Sequence, residues 1–204
     1  MKKPLLAIDI DDVIADSTEA LRRVVNKRYD VDLAPQDYVL NDDGSYWGYY
    51  ERVWAAHGLH HVRYDVLHDE MARDQSHVPL LPGASFAIGE LTKRYDIMLI
   101  TARDLAWEQV TLDWLTSHFG SVFTAVHFAG RTKHGVKVPS KGQLCKELGA
   151  KLLIDDNTEH CQSALDQGVD AILFGDYGWH NGKTDGLRLC KDWPAVLEYF
   201  DAQS

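Results

Sequence analysis

Short apolar runs recur along this sequence and predict buried β-strands. Each run ends in polar residues, as is typical of a strand that other elements cover on both faces. The runs lie at residues 5–10, 97–100, 123–128, 152–154 and 171–174. Helix-like segments separate the last four runs, and this alternation predicts an α/β fold with a Rossmann-like parallel sheet and helices on both faces.

Helix start and stop signals support this alternation. Helices are predicted at about residues 83–94, 105–119, 141–148 and 157–167. The first follows a Pro-Gly pair, and the last two precede Gly149 and Gly168, which favour a helix C-terminus. Each of the last four strands is thus preceded by a helix, as parallel strands require.

The segment between the first strand and Pro82 departs from this pattern. Residues 16–80 read mainly as helix and loop, rather than as the single helix of an ordinary crossover. We therefore predict a core domain of residues 1–15 and 81–204, with residues 16–80 inserted as a small, mainly helical cap.

Composition and charge narrow the classes of function. The chain is 45% hydrophobic and 25% charged, as in a folded globular protein. Its 31 acidic and 21 basic residues give a formal net charge of −10, which argues against duplex nucleic acid as a partner. The apolar runs are far shorter than the roughly 20 residues of a membrane span, and the N-terminus lacks a secretory signal. We therefore expect no membrane partner and a cytoplasmic location.

The strongest chemical signal follows the first strand, where Asp9 and Asp11 stand two residues apart. Neighbouring carboxylates raise each other's pKa, so they are costly to bury unless a cation binds them or one carries a proton. A solvated acidic loop is the alternative interpretation. Further polar residues stand at predicted strand or helix ends: Thr101, Lys141, Asp155 and Asp156.

These distant residues converge if the sheet has the expected topology. The carboxyl ends of parallel strands share one edge, and ligands bind there at the point where the strand order reverses. With strands two and three on one side of the first strand and strand four on the other, Asp9, Thr101 and Asp155 face one crevice. Lys141 enters this crevice from the N-terminus of its helix.

In this order, the residues resemble the motifs of the haloacid dehalogenase superfamily. Its phosphatases carry a D-x-D-x-[VT] loop, a Thr or Ser, a Lys and an acidic pair, which match residues 9–13, Thr101, Lys141 and residues 155–156. The resemblance spans about residues 5–175, and the insertion fits the subclass with a helical cap after the first motif. The segments around the first and last motifs are most similar to the 5'(3')-deoxyribonucleotidase group.

The resemblance implies a role for each acidic residue. Asp9 would attack phosphorus and form an aspartyl-phosphate intermediate. Asp11 would protonate the leaving group and then deprotonate water, so its pKa must lie above that of Asp9. One Mg2+ would bind the Asp9 carboxylate, the Asp11 backbone carbonyl and Asp155. Asp156 would orient these ligands, with binding of the metal through a water molecule as the alternative.

The resemblance also implies roles for Thr101 and Lys141. Thr101 would donate its hydroxyl to phosphoryl oxygens, with strand-end capping as the structural alternative. Lys141 would supply a fixed cation from the start of its helix. Its rivals for this role are the nearby lysines Lys133, Lys137 and Lys146. Ala102 and Arg103 are candidates for substrate contact, and a surface salt bridge is the alternative for Arg103.

Aromatic residues concentrate in the predicted cap, at Tyr46, Trp47, Tyr49, Tyr50 and Trp54. Three of them, Trp47, Tyr50 and Trp54, recur at helical spacing, which favours packing within the cap. The alternative is that Trp47 and Tyr50 stack on a nucleobase or cover an apolar leaving group, and so select the substrate. A second aromatic segment, residues 175–182 with Tyr177, Trp179 and His180, is predicted to form a surface loop after the last strand, with a position on the rim of the crevice as the alternative.

The sequence therefore predicts a Mg2+-dependent phosphomonoester hydrolase for a small soluble phosphate, with a nucleoside monophosphate as the first candidate substrate. A phosphatase of sugars or other small metabolites is the enzymatic alternative. A phospho-aspartate signalling module or a phosphate-binding module would gather the same residue types. In receiver domains, however, the acidic pair belongs to the first strand, whereas here it follows a later one.

Overall fold

A computed structural model describes residues 3–40, 46, 48–71, 73–129, 139–180 and 184–203. Its centre is a six-stranded sheet in which neighbouring strands pair in parallel. The strands are β1 (Leu5–Ile8), β2 (Asp96–Thr101), β3 (Ala125–Phe128), β4 (Leu152–Asp155), β5 (Asp170–Phe174) and β6 (Arg188–Cys190). Their order is β3-β2-β1-β4-β5-β6, which confirms the predicted α/β fold and the expected arrangement around β1.

The apolar runs correspond to β1, β2, β4 and β5, which are largely buried, and to the edge strand β3, whose four residues are all half-buried. In β1, Leu6 and Ile8 belong to one apolar cluster, whereas Ala7 belongs to the cluster on the opposite face of the sheet. The edge strand β6 has no such run, because Cys190 is the only buried residue among its three. The local sequence pattern therefore predicts β1–β5 but gives no signal for β6.

Eight α-helices are present in the described part of the chain: α1 (Ser17–Tyr29), α2 (Tyr49–Ala56), α3 (Tyr64–Met71), α4 (Ala84–Leu91), α5 (Glu108–Phe119), α6 (Lys141–Leu148), α7 (Thr158–Asp166) and α8 (Trp193–Asp201). The predicted helices correspond to α4–α7, although a 3-10 turn at Leu105–Trp107 precedes α5. None of the described helices is long and apolar enough to cross a membrane.

The inserted segment leaves and re-enters the core through two paired stretches of backbone. The Asp16 amide donates to the Pro79 carbonyl at 2.9 Å, and the Leu81 amide donates to the Ile14 carbonyl at 2.9 Å. Between these crossings the chain forms α1, α2 and α3, so the insertion is mainly helical. The division into core and cap at these crossings stays a prediction, which the pairing supports.

Helices α6 and α7 approach closely, and this contact positions the start of α6. A Cβ built on Gly142 of α6 would overlap the backbone carbonyl of Ser163 on α7. We expect Gly142→Ala to lower the free energy of unfolding by about 1–3 kcal/mol or more, as measured by urea denaturation. Gly89→Ala is the control, because a Cβ on Gly89 of α4 would meet no atom within 4 Å. Equal destabilisation by both substitutions would contradict this account of the helix contact.

Candidate active site

The loop after β1 holds Asp9 at the carboxyl edge of the sheet. The Asp9 amide donates to the Ile154 carbonyl of β4 at 2.9 Å, and its Oδ1 accepts from the Ile10 amide at 2.7 Å. The chain then turns back, so that the Ala15 amide donates to the Ile10 carbonyl at 2.9 Å. At the turn, Asp12 adopts a left-handed backbone with φ of 55°. Asp9 is buried by this arrangement, with 5% of its surface exposed.

A buried lysine joins the ends of β1 and β4. Lys141 Nζ lies 2.6 Å from Asp9 Oδ2 and 2.8 Å from Asp155 Oδ2. Lys141 is the first residue of α6, and Ser140 and Gln143 form a reciprocal capping box at this helix start. The capped N-terminus therefore directs the lysine towards the two strand ends.

The other lysines considered for this role are placed differently. Lys146 lies later on α6, is exposed, and donates to Gln167 Oε1 at 3.5 Å. Lys133 and Lys137 lie outside the described residues. Of the two candidates that the structure describes, only Lys141 contacts Asp9.

The cluster of Asp9, Lys141 and Asp155 carries an excess of negative charge. Burial raises the pKa of Asp9 to about 6 against the opposing charge of Lys141, and the charges of Asp155 and Asp11 add to the increase. Burial also acts to raise the pKa of Asp155, but Lys141 and His160 outweigh it and hold that pKa well below its usual range. One lysine thus compensates one of two buried carboxylates, which favours binding of an additional cation.

Two donors hold Asp155 in place. Its Oδ1 accepts from the Asn157 amide at 3.0 Å and lies 3.1 Å from His160 Nδ1. Among the described residues, Asp9, Asp155 and His160 form the one group of three or more potential ligand atoms close enough to share a metal ion. The sequence pattern gives no indication of a role for His160, except that it lies in the first turn of the helix after β4.

Asp11 is bound by Arg103 in a bidentate ion pair. Arg103 Nε lies 2.9 Å from Asp11 Oδ2, and Arg103 Nη2 lies 2.7 Å from Asp11 Oδ1. Burial acts to raise the pKa of Asp11, but Arg103 and a hydrogen bond from Ser17 outweigh it and lower that pKa. The expected order, with the pKa of Asp11 above that of Asp9, is therefore wrong for this structure. The pKa of Asp11 is lowered by its contact with Arg103, and no local sequence pattern indicates that contact.

Arg103 is a buried link between elements rather than part of a surface salt bridge. Only 5% of its surface is exposed. Its Nη1 donates to Gln75 Oε1 at 2.8 Å and to Thr111 Oγ1 at 3.1 Å. Because Gln75 precedes the return of the insertion to the core and Thr111 lies on α5, Arg103 connects the acidic loop to both.

The residues before Arg103 end β2. Thr101 is fully buried, and its Oγ1 accepts a hydrogen bond from the Arg103 amide at 3.1 Å. This contact is the strand-end capping that was the alternative role for Thr101. Because the hydroxyl oxygen accepts this hydrogen bond, the hydroxyl proton is still available to donate to another group. Ala102 is exposed and lines the neighbouring cavity.

Asp156 is held by the aromatic segment that follows β5. Its Oδ2 accepts from Trp179 Nε1 at 2.8 Å, and its backbone carbonyl lies 2.8 Å from His180 Nε2. Trp179 and His180 are 6% and 5% exposed, so the prediction of a surface loop is wrong for these residues. Their ring nitrogens hydrogen-bond to Asp156, directly after β4, and Trp179 also packs in the hydrophobic core.

A cavity of about 310 Å³ adjoins Asp9, Asp11 and Arg103. Aromatic side chains form much of its wall: Tyr46, Tyr50, Tyr64, His68 and Trp107. Tyr50 stacks on Tyr64, with ring centroids 5.1 Å apart and planes 5° apart. Trp54 lies elsewhere, fully buried in the insertion, where its Nε1 donates to Tyr38 Oη at 3.0 Å. Trp47 lies outside the described residues.

Three solved structures illustrate the fold. A conserved haloacid dehalogenase-like protein of unknown function from Agrobacterium tumefaciens has 14% identity and a TM-score of 0.65, with 98% of this chain and 99% of that chain covered. A putative phosphoglycolate phosphatase from Lactobacillus delbrueckii has 14% identity and a TM-score of 0.63, with 98% of both chains covered. D,D-heptose 1.7-bisphosphate phosphatase from B. bronchiseptica, complexed with magnesium and phosphate, has 16% identity and a TM-score of 0.56, with 100% of both chains covered.

One protein-family model matches almost the whole chain. It covers residues 3–200 and describes the 5' nucleotidase, deoxy (Pyrimidine), cytosolic type C proteins. No curated protein matches the chain in sequence. The family match and the haloacid dehalogenase-like fold agree with the order of the motifs along the chain. The chain therefore belongs to the cytosolic type C family of 5' nucleotidases, within the haloacid dehalogenase superfamily, and is a phosphatase.

Proposed function

We propose that this phosphatase hydrolyses nucleoside monophosphates in a Mg2+-dependent reaction that passes through phosphorylated Asp9. The observation that carries the proposal is the buried contact between Asp9 and Lys141 beside a cavity with aromatic walls. Asp9 supplies a nucleophile and Lys141 a fixed positive charge, while the cavity offers a place for a flat, largely apolar leaving group.

The proposed chemistry has two steps. An Asp9 carboxylate oxygen forms a bond to phosphorus while the bond from phosphorus to the nucleoside oxygen breaks, and Asp11 protonates that oxygen. Asp11 then takes a proton from water as the water oxygen attacks phosphorus, and the bond between phosphorus and Asp9 breaks to release inorganic phosphate. Lys141 and the Thr101 hydroxyl stabilise the phosphoryl oxygens in both steps.

The ion pair between Asp11 and Arg103 sets a requirement for this mechanism. A carboxylate that a guanidinium binds carries no proton, so Arg103 must release Asp11 before Asp11 acts as an acid. We infer that the substrate phosphoryl group draws Arg103 away, because guanidinium groups bind phosphate oxygens in a similar bidentate geometry. Arg103, together with the adjacent Ala102, then contacts the substrate.

The oxygen donors at this site fit Mg2+. The Asp9 and Asp155 carboxylates and the Asp11 backbone carbonyl are hard ligands of the kind that Mg2+ prefers. The two buried carboxylates share one lysine, so one negative charge remains, and a divalent cation would more than offset it. Bound Mg2+ would supply the positive charge that lets a phosphate group approach Asp9. Asp156, which Trp179 holds, would orient the ligand set.

Two observations favour a nucleoside as the leaving group. Aromatic rings, among them Tyr64 and Trp107, line the cavity, and such rings bind nucleobases by stacking or by edge-to-face contact. The cavity volume of about 310 Å³ suits one small ligand. The description of the matching family, which names nucleotidases, points to the same substrate class.

Phosphate release tests the proposal. Deoxyribonucleoside monophosphates, sugar phosphates and phenyl phosphate are compared with Mg2+, after chelation by EDTA, and after Mg2+ is restored. We expect chelation to abolish turnover, Mg2+ to restore it, and kcat/KM to favour nucleotides by about 10-fold or more. Equal rates on nucleotides and sugar phosphates would contradict the substrate class, and full activity in EDTA would contradict the metal requirement. A long-lived phosphoprotein without turnover would favour a signalling module.

A further inference from the structure

Besides its tyrosines, the inserted segment contributes four polar side chains to the cavity wall: Ser17, Glu51, His68 and Gln75. Ser17 donates to Asp11 Oδ1, and Glu51 Oε1 accepts from the Tyr64 amide, so Gln75 and His68 are the two whose role is unexplained. In ligand pockets, a small number of placed polar groups fix the orientation of the ligand and decide which ligand is accepted. Neither Gln75 nor His68 takes part in the chemistry proposed above, so their presence in the cavity wall calls for another explanation.

Gln75 carries a buried hydrogen-bond donor without a partner. Its Oε1 accepts from Arg103 Nη1 at 2.8 Å, and because a guanidinium only donates, this contact establishes which end of the amide is oxygen. The amide nitrogen Nε2 is buried and makes no hydrogen bond to any residue that the structure describes. Gln75 itself is 3% exposed. A buried amide donor of this kind is costly until an acceptor reaches it.

His68 stands among the aromatic rings of the same wall. Its ring centroid lies 4.9 Å from that of Tyr64 and 3.9 Å from that of Trp107. Within the described part of the chain, no hydrogen bond reaches its ring nitrogens. Partial burial lowers the pKa of His68, so the ring is neutral near pH 7 and offers one donor and one acceptor.

We propose that Gln75 and His68 recognise the hydrogen-bonding edge of the substrate's base, with Gln75 Nε2 donating to a carbonyl oxygen or ring nitrogen of that base. This inference rests on the proposed nucleotide substrate and deepens it. The aromatic rings contact the base through its flat faces and accept any flat group, whereas the two polar side chains require an acceptor on the leaving group.

The test uses two substrates of the same shape. Thymidine 5'-monophosphate carries carbonyl acceptors, and its 2,4-difluorotoluene analogue replaces them with fluorine and lacks the ring N–H. We expect the wild-type enzyme to favour the thymidine compound by about 10- to 100-fold in kcat/KM, because a site built for hydrogen bonds rejects an analogue that lacks them. In Gln75→Met and in His68→Phe, this ratio should fall towards 1.

Two further variants separate recognition from other effects. Gln75→Glu keeps an acceptor for Arg103 but has no donor when ionised, so it should lower the same ratio even if Gln75→Met fails to fold. Val66→Ala is the matched control on α3, because the Val66 side chain is exposed, and it should keep the wild-type ratio. The ratio of the two kcat/KM values is taken within each variant. A shift of Arg103 or Asp11 that affects both substrates alike therefore does not change it.

The possible outcomes distinguish this inference from the proposed function. A wild-type ratio near 1, or variants at both positions that keep the wild-type ratio, would overturn the recognition role while leaving a nucleotidase. Hydrolysis of phenyl phosphate without hydrolysis of thymidine 5'-monophosphate or other nucleotides would overturn the nucleotide substrate, and the inference with it. A ratio that falls in all three Gln75 and His68 variants supports the proposal.

Discussion

Asp9→Asn is expected to lower kcat/KM for phosphomonoesters by about 10⁴-fold or more. The amide is a poor nucleophile, and the substitution removes a negative charge that faces both Lys141 and the proposed cation. The side chain keeps its size, and its oxygen can still accept from the Ile10 amide, which now bonds to Asp9 Oδ1 at 2.7 Å. Steady-state phosphate release in the presence of Mg2+ measures the loss, and urea denaturation checks that the variant is folded.

Asp12→Asn is the matched control for this substitution. Asp12 lies in the same loop, is 4% exposed, and accepts hydrogen bonds from the amide and hydroxyl of Thr18. Burial raises the pKa of Asp12 to about 7, so a neutral amide is a close substitute for its carboxyl. We expect this control to retain activity within about 10-fold. Equal losses from both variants, or near-wild-type hydrolysis by Asp9→Asn, would contradict Asp9 as the nucleophile.

Lys141→Met is expected to lower stability and activity together. Asp9 and Asp155 would lose a counter-ion that now lies 2.6 and 2.8 Å from their carboxylate oxygens in a buried site. Loss of one partner from a buried ion pair lowers the free energy of unfolding by about 3–5 kcal/mol. Loss of the cation beside the phosphoryl group should lower kcat/KM by about 10²- to 10³-fold.

The loss of stability in Lys141→Met should depend on pH. Burial already raises the pKa of Asp9 to about 6 with the lysine present, and removal of Lys141 raises it further. A carboxyl group whose folded pKa lies above its unfolded pKa favours folding at low pH and loses that contribution as pH rises. The difference between wild type and variant should therefore be larger at pH 8 than at pH 5, as measured by urea denaturation in metal-free buffer.

Lys146→Met provides the control, because Lys146 lies on the same helix but is exposed. Substitutions at exposed positions usually change stability by no more than about 0.5 kcal/mol. If this control lost as much stability as Lys141→Met, the effect would belong to the helix and not to the buried ion pair.

The parts of the site that the sequence predicts are those that depend on topology. Asp9, Thr101 and Asp155 stand at the ends of apolar runs, and parallel strands bring their carboxyl ends to one edge whatever the details of packing. The position of Lys141 is predicted in the same way, because it begins a capped helix whose N-terminus faces that edge. To predict these positions, it is enough to know the strand order and the helix boundaries.

The contacts that alter the chemistry have a different origin. Arg103 stands 92 residues after Asp11 in the chain, and nothing in either local pattern indicates a bidentate pair. The same holds for Gln75, which belongs to no periodic pattern in the sequence and yet accepts a hydrogen bond from Arg103. As a result, the expected order of the Asp9 and Asp11 pKa values is reversed in the structure.

The sequence by itself determined the parallel sheet, the helical insertion and the edge at which Asp9, Lys141 and Asp155 meet, because apolar runs and helix signals encode local structure and parallel topology does the rest. Only the tertiary structure decided which side chains contact each acidic residue of the site, and so whether its pKa is raised or lowered. Side-chain contacts between the insertion and the core depend on how these segments pack, and packing over long sequence separations leaves no periodic signal in the chain.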